Sequence, residues 1–544
     1  MTKTHPEKTV RNGSAGWLLK LGSVGVLVIP TVASFLIVSP LLYIAFLGLG
    51  SGFPVILRLG RSHLLPLLGQ TLLFAGLTAL WASLLSLPFA WLVIRTDLPG
   101  KRIWRWLGAM PLAIPPYIGA LTSIMLLGPD GVVNHGYRWL TGQGMGGGTI
   151  VNIYGFWGGV FVLGLFTYPY VFLTVSSALE RTNISLEEVA RGLGFSPWRV
   201  YVKMTLALLR PSLLASGLMV FLYALADFGL TSVLRVRTFP VEIYHWLVTR
   251  LDYSGSAAMS ALLLLLTISI LALQVHLLGR ASYAQVSASS FKTRLIPLGL
   301  WRWPALVYSA LLIGSSLFLP LALLVYQVKS FATFFMVLHA EWSYALNSLW
   351  TAASAATLAV LLALGVGHLA RQKKFLGFLT SRIAQLGYAI PGTVLGLSLL
   401  LLYHRHLPWI YGTPVIVVAG YLIRFLLQAV QSISASLAQI PRSLEEAAII
   451  LGRGSLARVW WVLLPLIRPG LISGWALVFI ASMKELATTL IVRPPGFDTL
   501  PIRIWIETVE GTHALAAGAA LLLIGVTAIP LLFLVQKEVA EPSA

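Results

Sequence analysis

The sequence predicts an all-α integral membrane protein with about twelve transmembrane helices, laid out as two tandem six-helix domains. Three observations predict it. First, 57% of the 544 residues are hydrophobic and only 10% are charged, where a soluble domain carries about 25% charged residues. Second, apolar runs long enough to cross a bilayer core in helix, about 20 residues each, recur along the whole chain. Third, a short polar phrase is written twice, "SLEEVARGLGFSPWRVYV" from Ser185 and "SLEEAAIILGRGSLARVW" from Ser443, 258 residues apart.

The elements follow in order. Residues 1–20 are basic and polar and form a cytoplasmic segment. The apolar run behind them is too long for a removed signal peptide and lacks a small-residue cleavage site, so it is expected to stay as the first span. The first domain covers 21–279, with spans near 21–48, 67–95, 104–127, 153–179, 211–234 and 257–279. A Ser-rich, basic linker, 280–302, separates it from the second domain, 303–536. That domain has spans near 303–327, 346–370, 380–403, 412–434, 469–492 and 513–536, and a tail, 537–544, follows. The order is the same in both halves and each holds an even number of spans. A pseudo-twofold axis along the membrane normal should therefore relate them, with a central pathway on it.

Charge sets the orientation. Lys and Arg number 38 against 18 Asp and Glu, a net charge of +20. The cations cluster between apolar runs, as in Lys101, Arg102 and Arg105, or Arg371, Lys373 and Lys374. The positive-inside rule accounts for them without nucleic acid as a partner and places both termini in the cytoplasm. Arg235, Arg237 and Arg250 fall outside on this reading. The absence of cysteine excludes disulfides, thiolate metal sites and Cys nucleophiles.

The repeated polar phrase lies between the fourth and fifth spans of each half, in segments 181–210 and 439–468. Ser185 with Glu188, and Ser443 with Glu446, have capping-box spacing. Glu187 and Glu445 add negative charge where the helix dipole favours it. Leu186, Val189, Ala190 and Leu193 form an apolar stripe, as do Leu444, Ala447, Ala448 and Leu451, and Gly194 and Gly452 then break each helix. A second helix is expected from Ser196-Pro197 and from Ser455, and Arg210-Pro211 and Arg468-Pro469 mark the start of the next span. A short amphipathic helix outside the bilayer can lie on lipid or pack on its own chain. Two copies at matched sites fit insertion into the two grooves of a dimeric partner better.

This pattern resembles the EAA loop of ATP-binding-cassette importer permeases, standing here as "EEVARGLG" and "EEAAIILG…LLP". The first copy has Ala207 where the second has Pro465. The resemblance covers nearly the whole chain and implies two fused permease domains. It implies that Glu187, Glu188, Ala190 and Gly194, with Glu445, Glu446, Ala448 and Gly452, form coupling helices that dock on two ATPase subunits. It implies further that ATP and Mg²⁺ sit on those subunits and that this chain binds no cofactor. It also implies a bacterial inner membrane, with a periplasmic or lipid-anchored solute-binding protein delivering the cargo.

Two acids look intramembrane, Asp227 in "LYALADFGLTSVL" and Glu485 in "FIASMKELATTLIV", and they too stand 258 residues apart. A buried acid is costly in a bilayer and usually faces a cavity or a partner. As paired hard oxygen ligands the two suit a cation in transit. The local alternatives are that Asp227 caps a broken helix and that Glu485 neutralises Lys484 or a cation on a neighbouring span. Pro115, Pro116 and Pro391 interrupt the third span of each half, where freed carbonyls can line a pathway or the kink can serve packing. His404 and His406 lack a third ligand and are not taken as a metal site.

Several phrases resemble the ferric iron permeases of the same superfamily, among them "AIPPYIGAL…LLGPDGVVN", "LADFGLTSVL" and "MKELATTLIVRPPGFDTLPIRIW". Relatives of that layout also move thiamine, aminoethylphosphonate or other solutes, so the layout alone leaves the cargo open; the paired acids favour a cation over an anion, and ferric iron is the expected cargo with those solutes as the alternative. A proton-coupled secondary transporter would share six plus six spans but has no use for two docking helices. No GxxxxGK[ST], HExxH or nucleophile-elbow motif occurs, so the chain is not expected to be an enzyme.

Overall fold

A computed structural model describes residues 13–50, 53–142, 148–181, 190, 192–279, 295–371, 375–451, 454 and 459–540. The principal helices of the first half are α1 (Gly13–Leu49), α2 (Leu65–Arg95), α3 (Pro116–Leu127), α4 (Phe156–Arg181), α5 (Leu206–Ala226), α6 (Gly229–Val233), α7 (Phe239–Val248) and α8 (Tyr253–Gly279). Those of the second half are α9 (Leu319–Val328), α10 (Phe331–Arg371), α11 (Phe375–Ala389), α12 (Gly392–His406), α13 (Val415–Ala438), α14 (Arg442–Ile450), α15 (Leu464–Met483), α16 (Ala487–Val492), α17 (Leu500–Glu510) and α18 (His513–Ala540). Among the described residues, 11 helical stretches are long and apolar enough to cross a membrane, and α11 with α12 raises the number to 12 if the pair is one broken span. The expected all-helical membrane architecture is therefore what forms.

The chain folds as two compact units that are not successive in sequence. One comprises Met1–Ser39, Ala352–Tyr388 and Tyr421–Ser482; the other comprises Pro40–Thr351, Ala389–Gly420 and Met483–Ala544. In the smaller unit, small residues let backbones approach closely, the usual way helices associate in lipid. Gly470 and Gly474, a GxxxG pair on α15, face Ala429, Ser432 and Ser436 on α13. A Cβ at Gly470 would stand 2.7 Å from the Ser436 Cβ, and one at Gly474 would stand 3.3 Å from the Ala429 Cα. Trp475 Nε1 donates to Thr357 Oγ1 on α10 at 3.1 Å, and the hydroxyls of Ser34 and Thr380 pair at 3.1 Å. Gly470→Leu is expected to force α13 and α15 apart, at about 1–3 kcal/mol of overpacking. The thermal midpoint of the detergent-solubilised protein measures this, and an unchanged midpoint would mean that the two helices do not touch.

In the larger unit α2, α4 and α5 pack on one another. Glycines again mark the tight contacts: Gly164 on α4 faces Trp81 on α2, and Gly108 faces Phe89 and Phe172. The internal repeat is visible in exchanged contacts. Helix α18 of the second half packs on α3 of the first, and α8 of the first packs on α12 of the second. Likewise α17 meets α3, and α7 meets α12. This reciprocity is what a twofold relation between the halves produces. The described end of the linker is stitched to the end of α2: Thr96 and Ile296 form a parallel bridge, and Asp97 Oδ1 accepts from the Leu298 amide at 2.8 Å.

Three local expectations need correction. The fifth spans were expected at 211–234 and 469–492, with Pro211 and Pro469 at their starts and the two acids inside them. They run instead over Tyr201–Ala226 and Trp460–Met483. Each proline sits within the helix, and each span begins in a π-helical turn, Tyr201–Thr205 or Val459–Leu463. Such wider turns and neighbouring groups take up the carbonyls that an internal proline frees. The third span of the first half was expected at 104–127. Its residues divide into a helix Lys101–Ala109, a 3₁₀ turn Met110–Ala113 and α3, because Pro115 and Pro116 supply no amide to continue the ladder. Helix α14 begins at Arg442, one residue before Ser443, so Ser443 lies in its first turn instead of capping it.

Candidate functional site

The site is built around two helix breaks. Helix α5 stops at Ala226, and Asp227 takes an extended conformation (φ −69°, ψ 125°) before α6. The Asp227 Oδ1 accepts from the Thr231 amide in the first turn of α6 at 3.0 Å, and Thr231 Oγ1 donates back to the Asp227 carbonyl at 2.8 Å. In the second half α15 stops at Met483, and the Glu485 Oε1 accepts from the Thr488 amide in the first turn of α16 at 2.9 Å. Thr489 Oγ1 donates to the Glu485 carbonyl at 3.1 Å. The first amides of a helix have no intrahelical acceptor, and a carboxylate there satisfies one of them and opposes the helix dipole. Both acids thus cap a restarted helix, and the sequence repeat is a repeat of this device. Glu485 is 7% exposed.

The prolines hold the partner elements. Pro115 (φ −59°, ψ 142°) and Pro391 (φ −55°, ψ 137°) precede α3 and α12 in the same extended conformation. Helix α6 packs on α3, and α16 packs on α12, where Thr488 Oγ1 donates to the Gly392 carbonyl at 3.2 Å. The two breaks also meet each other. A Cβ at Gly229 would stand 3.1 Å from the Tyr117 Cβ and 3.3 Å from the Leu486 Cδ2, so only glycine lets the three segments close up. Above this contact Trp505 Nε1 on α17 donates to Ser232 Oγ at 2.9 Å, and the rings of Phe228, Tyr244 and Trp505 form a cluster with centroids 5.0–5.9 Å apart. Burial raises the Tyr244 hydroxyl above the ordinary phenol range, against the opposing pull of Arg493, so the group stays neutral.

Lys484, read in the sequence only as a counter-charge for Glu485, has a different role. Its ammonium donates to the Leu112 carbonyl at 2.8 Å.

Helices α7 and α17 restart the chain beyond the breaks, each from an extended Thr followed two residues later by Pro. The amide of Phe239 donates to Thr71 Oγ1 on α2 at 3.2 Å, and the amide of Leu500 donates to Ser348 Oγ on α10 at 2.8 Å. The repeat keeps this contact but reverses the charge beside it. On α7, Glu242 pairs with Arg237 at 2.6 Å and lies 3.7 Å from His63, in the segment leading into α2. At the matching turn of α17, Arg503 pairs with Glu507 and lies 3.7 Å from Glu341 on α10. The Thr-x-Pro phrases from Thr238 and Thr499 were the signal in the sequence that could have found this pairing.

The two repeated polar segments, expected to dock on a partner, are described in part. Glu187, Glu188 and Gly452 lie outside the described residues. Helix α14 carries the second copy and packs on the π-helical turn Val459–Leu463 that starts the fifth span. Glu446 on it is exposed, and Glu445 lies within the same helix. Gly194 adopts φ +85°, the left-handed conformation that ends a helix and favours glycine. Ala190 and Ala448 are both 6% exposed, whereas Leu193, Ile450 and Leu451 are 73–85% exposed. The alanines face inward, and the large apolar side chains face out.

Among the described residues no group of three or more His, Asp and Glu side chains comes together as a metal site. His404 stacks edge-on with Tyr411 at 4.8 Å, while His406 meets Tyr43 at 5.6 Å, so the two rings have different partners.

Comparison with known proteins gives the following likenesses. The family described as binding-protein-dependent transport system inner membrane component matches residues 9–283 and 359–538. A ferric transport system permease protein of Actinobacillus pleuropneumoniae is 26% identical over 504 residues, 86% of this chain and 71% of that protein. An Fe(3+)-transport system permease protein of Haemophilus influenzae is 27% identical over 494 residues, 88% of this chain and 90% of that protein. A molybdenum transport system permease protein of Escherichia coli is 29% identical over 187 residues, 32% of this chain and 78% of that protein.

Proposed function

The chain belongs to the binding-protein-dependent transport system inner membrane components, and from that premise we propose that it is the fused permease subunit of an ATP-binding-cassette importer for ferric iron. Two ATPase subunits dock on the two coupling segments, bind ATP and Mg²⁺, and drive the cycle. A solute-binding protein outside the membrane hands over the iron, which is cargo. Both termini lie in the cytoplasm, and the two sequence halves, 21–279 and 303–536, act as the two permease domains. ATP binding closes the ATPases and opens the pathway outward, and hydrolysis resets it.

The observation that carries the importer reading is the paired geometry. Each half places a capped helix break at the same interval from its coupling alanine: Asp227 stands 37 residues after Ala190, and Glu485 stands 37 residues after Ala448. One α-helical span links each pair, Tyr201–Ala226 and Trp460–Met483. A push on a coupling segment is transmitted along that span to the break, so two motors acting below the membrane move two breaks at its centre. Iron is supported by the ferric relatives, which are matched along most of this chain and share its fused layout. The two acids add a negative field at the meeting point of the breaks, where iron in transit is attracted. The molybdenum relative, matched over a third of the chain, favours an oxyanion as the second reading.

The test is uptake of radioactive ferric iron into proteoliposomes holding the permease, its ATPase and its binding protein, with molybdate, 2-aminoethylphosphonate and thiamine as competitors. ATP-dependent iron uptake that none of them suppresses is the expected result. Uptake of a competitor in place of iron would overturn the cargo but keep the importer. Uptake driven by an ion gradient without ATP would overturn the importer itself.

A further inference from the structure

The tie made by Lys484 is not part of the capping device. It leaves the break of the second half's fifth span and ends on Leu112, at the threshold of the first half's third span, 372 residues away. Leu112 sits in the 3₁₀ turn Met110–Ala113. Its carbonyl would normally accept from the amide three or four residues on, and those residues are Pro115 and Pro116, which have none. The double proline thus leaves a backbone acceptor with no local donor, inside a part of the fold where an unmade hydrogen bond is costly. The ammonium takes that place. Ala226 stands 258 residues earlier, at the matching position of the first half, so the repeat supplies no second lysine there.

We propose that Lys484 is a positioning residue for transport: it holds the proline-broken start of the third span against the opposite half's helix break, so that the two halves move as a coupled pair. The acids set the two breaks, and Lys484 locks one break to the element beside it. This inference rests on the importer reading for its transport readout, but its structural readout does not.

The experiment uses the full chain, which has no native cysteine. Ala113→Cys places one thiol beside the tie, at a residue 4% exposed, and Ala355→Cys, at a residue 0% exposed in the smaller unit, serves as a separate control. In each background Lys484→Met removes the donor at similar length, and Lys484→Arg keeps a charged donor. A hydrogen bond to a charged group shifts an equilibrium roughly tenfold or more. Maleimide labelling at position 113 is therefore expected to rise about tenfold in Lys484→Met and to return to within about threefold of the parent in Lys484→Arg, with position 355 unchanged. In proteoliposomes, ATP hydrolysed per iron imported is expected to rise by a similar factor in Lys484→Met alone. Unchanged labelling at 113 in Lys484→Met would overturn the tie. Equal increases at 113 and 355 would overturn it as well, because the lysine would then serve general stability. Changed labelling with normal coupling would remove its role in transport. Absence of ATP-driven uptake in the parent protein would be a failure of the importer reading instead, and the labelling result would still stand.

Discussion

Ile450→Asp combined with Leu193→Asp is expected to cut ATP-driven uptake at least about tenfold while leaving the amount of permease in the membrane unchanged. Both residues are among the most exposed large apolar side chains of the described residues, at 85% and 73%, and both lie in the repeated polar segments proposed to dock on the ATPases. A carboxylate buried in a partner's apolar groove has no counter-charge and loses hydration, and one such residue costs a tenfold change or more in binding. Copurification of the ATPase with the tagged permease is the direct measurement. Normal copurification and normal uptake would show that this face does not dock. Ala448→Arg is the contrasting variant. Ala448 is packed against its own chain, so a long cation there overpacks the fold and is expected to lower the recovered protein along with the activity. The small residue at the centre of each segment is thus explained by internal packing. The large apolar residues beside it are what remains for a partner.

Asp227→Asn with Glu485→Gln is expected to abolish most iron uptake, by tenfold or more, with little loss of stability. The amide side chains keep an oxygen that can accept from Thr231 and Thr488, so the restarted helices stay capped, and only the charge is lost. Asp227→Ala with Glu485→Ala removes the acceptor too, and each lost cap costs about 0.5–2 kcal/mol. Comparing the pairs separates the two functions of the carboxylates. Iron uptake that survives in the Asn/Gln pair but fails in the Ala pair would leave the acids a capping role only. Thermal midpoints of the parent and the two double variants, measured beside uptake, complete the comparison.

Much of the fold was legible without coordinates. Hydropathy over a 20-residue window is a local property, and a bilayer forces each backbone amide to find its acceptor within its own helix, so spans could be placed from composition and length. The internal repeat was legible for the same reason: Pro115 and Pro391, Gly194, and the acids 258 residues apart each have a local backbone consequence. The errors fell where a local rule had two outcomes. A proline can start a helix or bend one, and Pro211 and Pro469 do the second. An acid in an apolar run can lie within a span or end one, and Asp227 and Glu485 end theirs.

By itself the sequence determined the solvent of this protein, its helical class, its twofold repetition and the positions where its helices must break. Only the tertiary structure decided what each polar group in those breaks holds. It joined Lys484 to Leu112, turned Ala190 and Ala448 inward, and reversed the charges that brace α7 and α17. The physical reason is range. A helix forms from contacts three and four residues apart, which a sequence displays, whereas a buried polar group takes whichever partner the packed segments bring to it, here one that lies 372 residues along the chain.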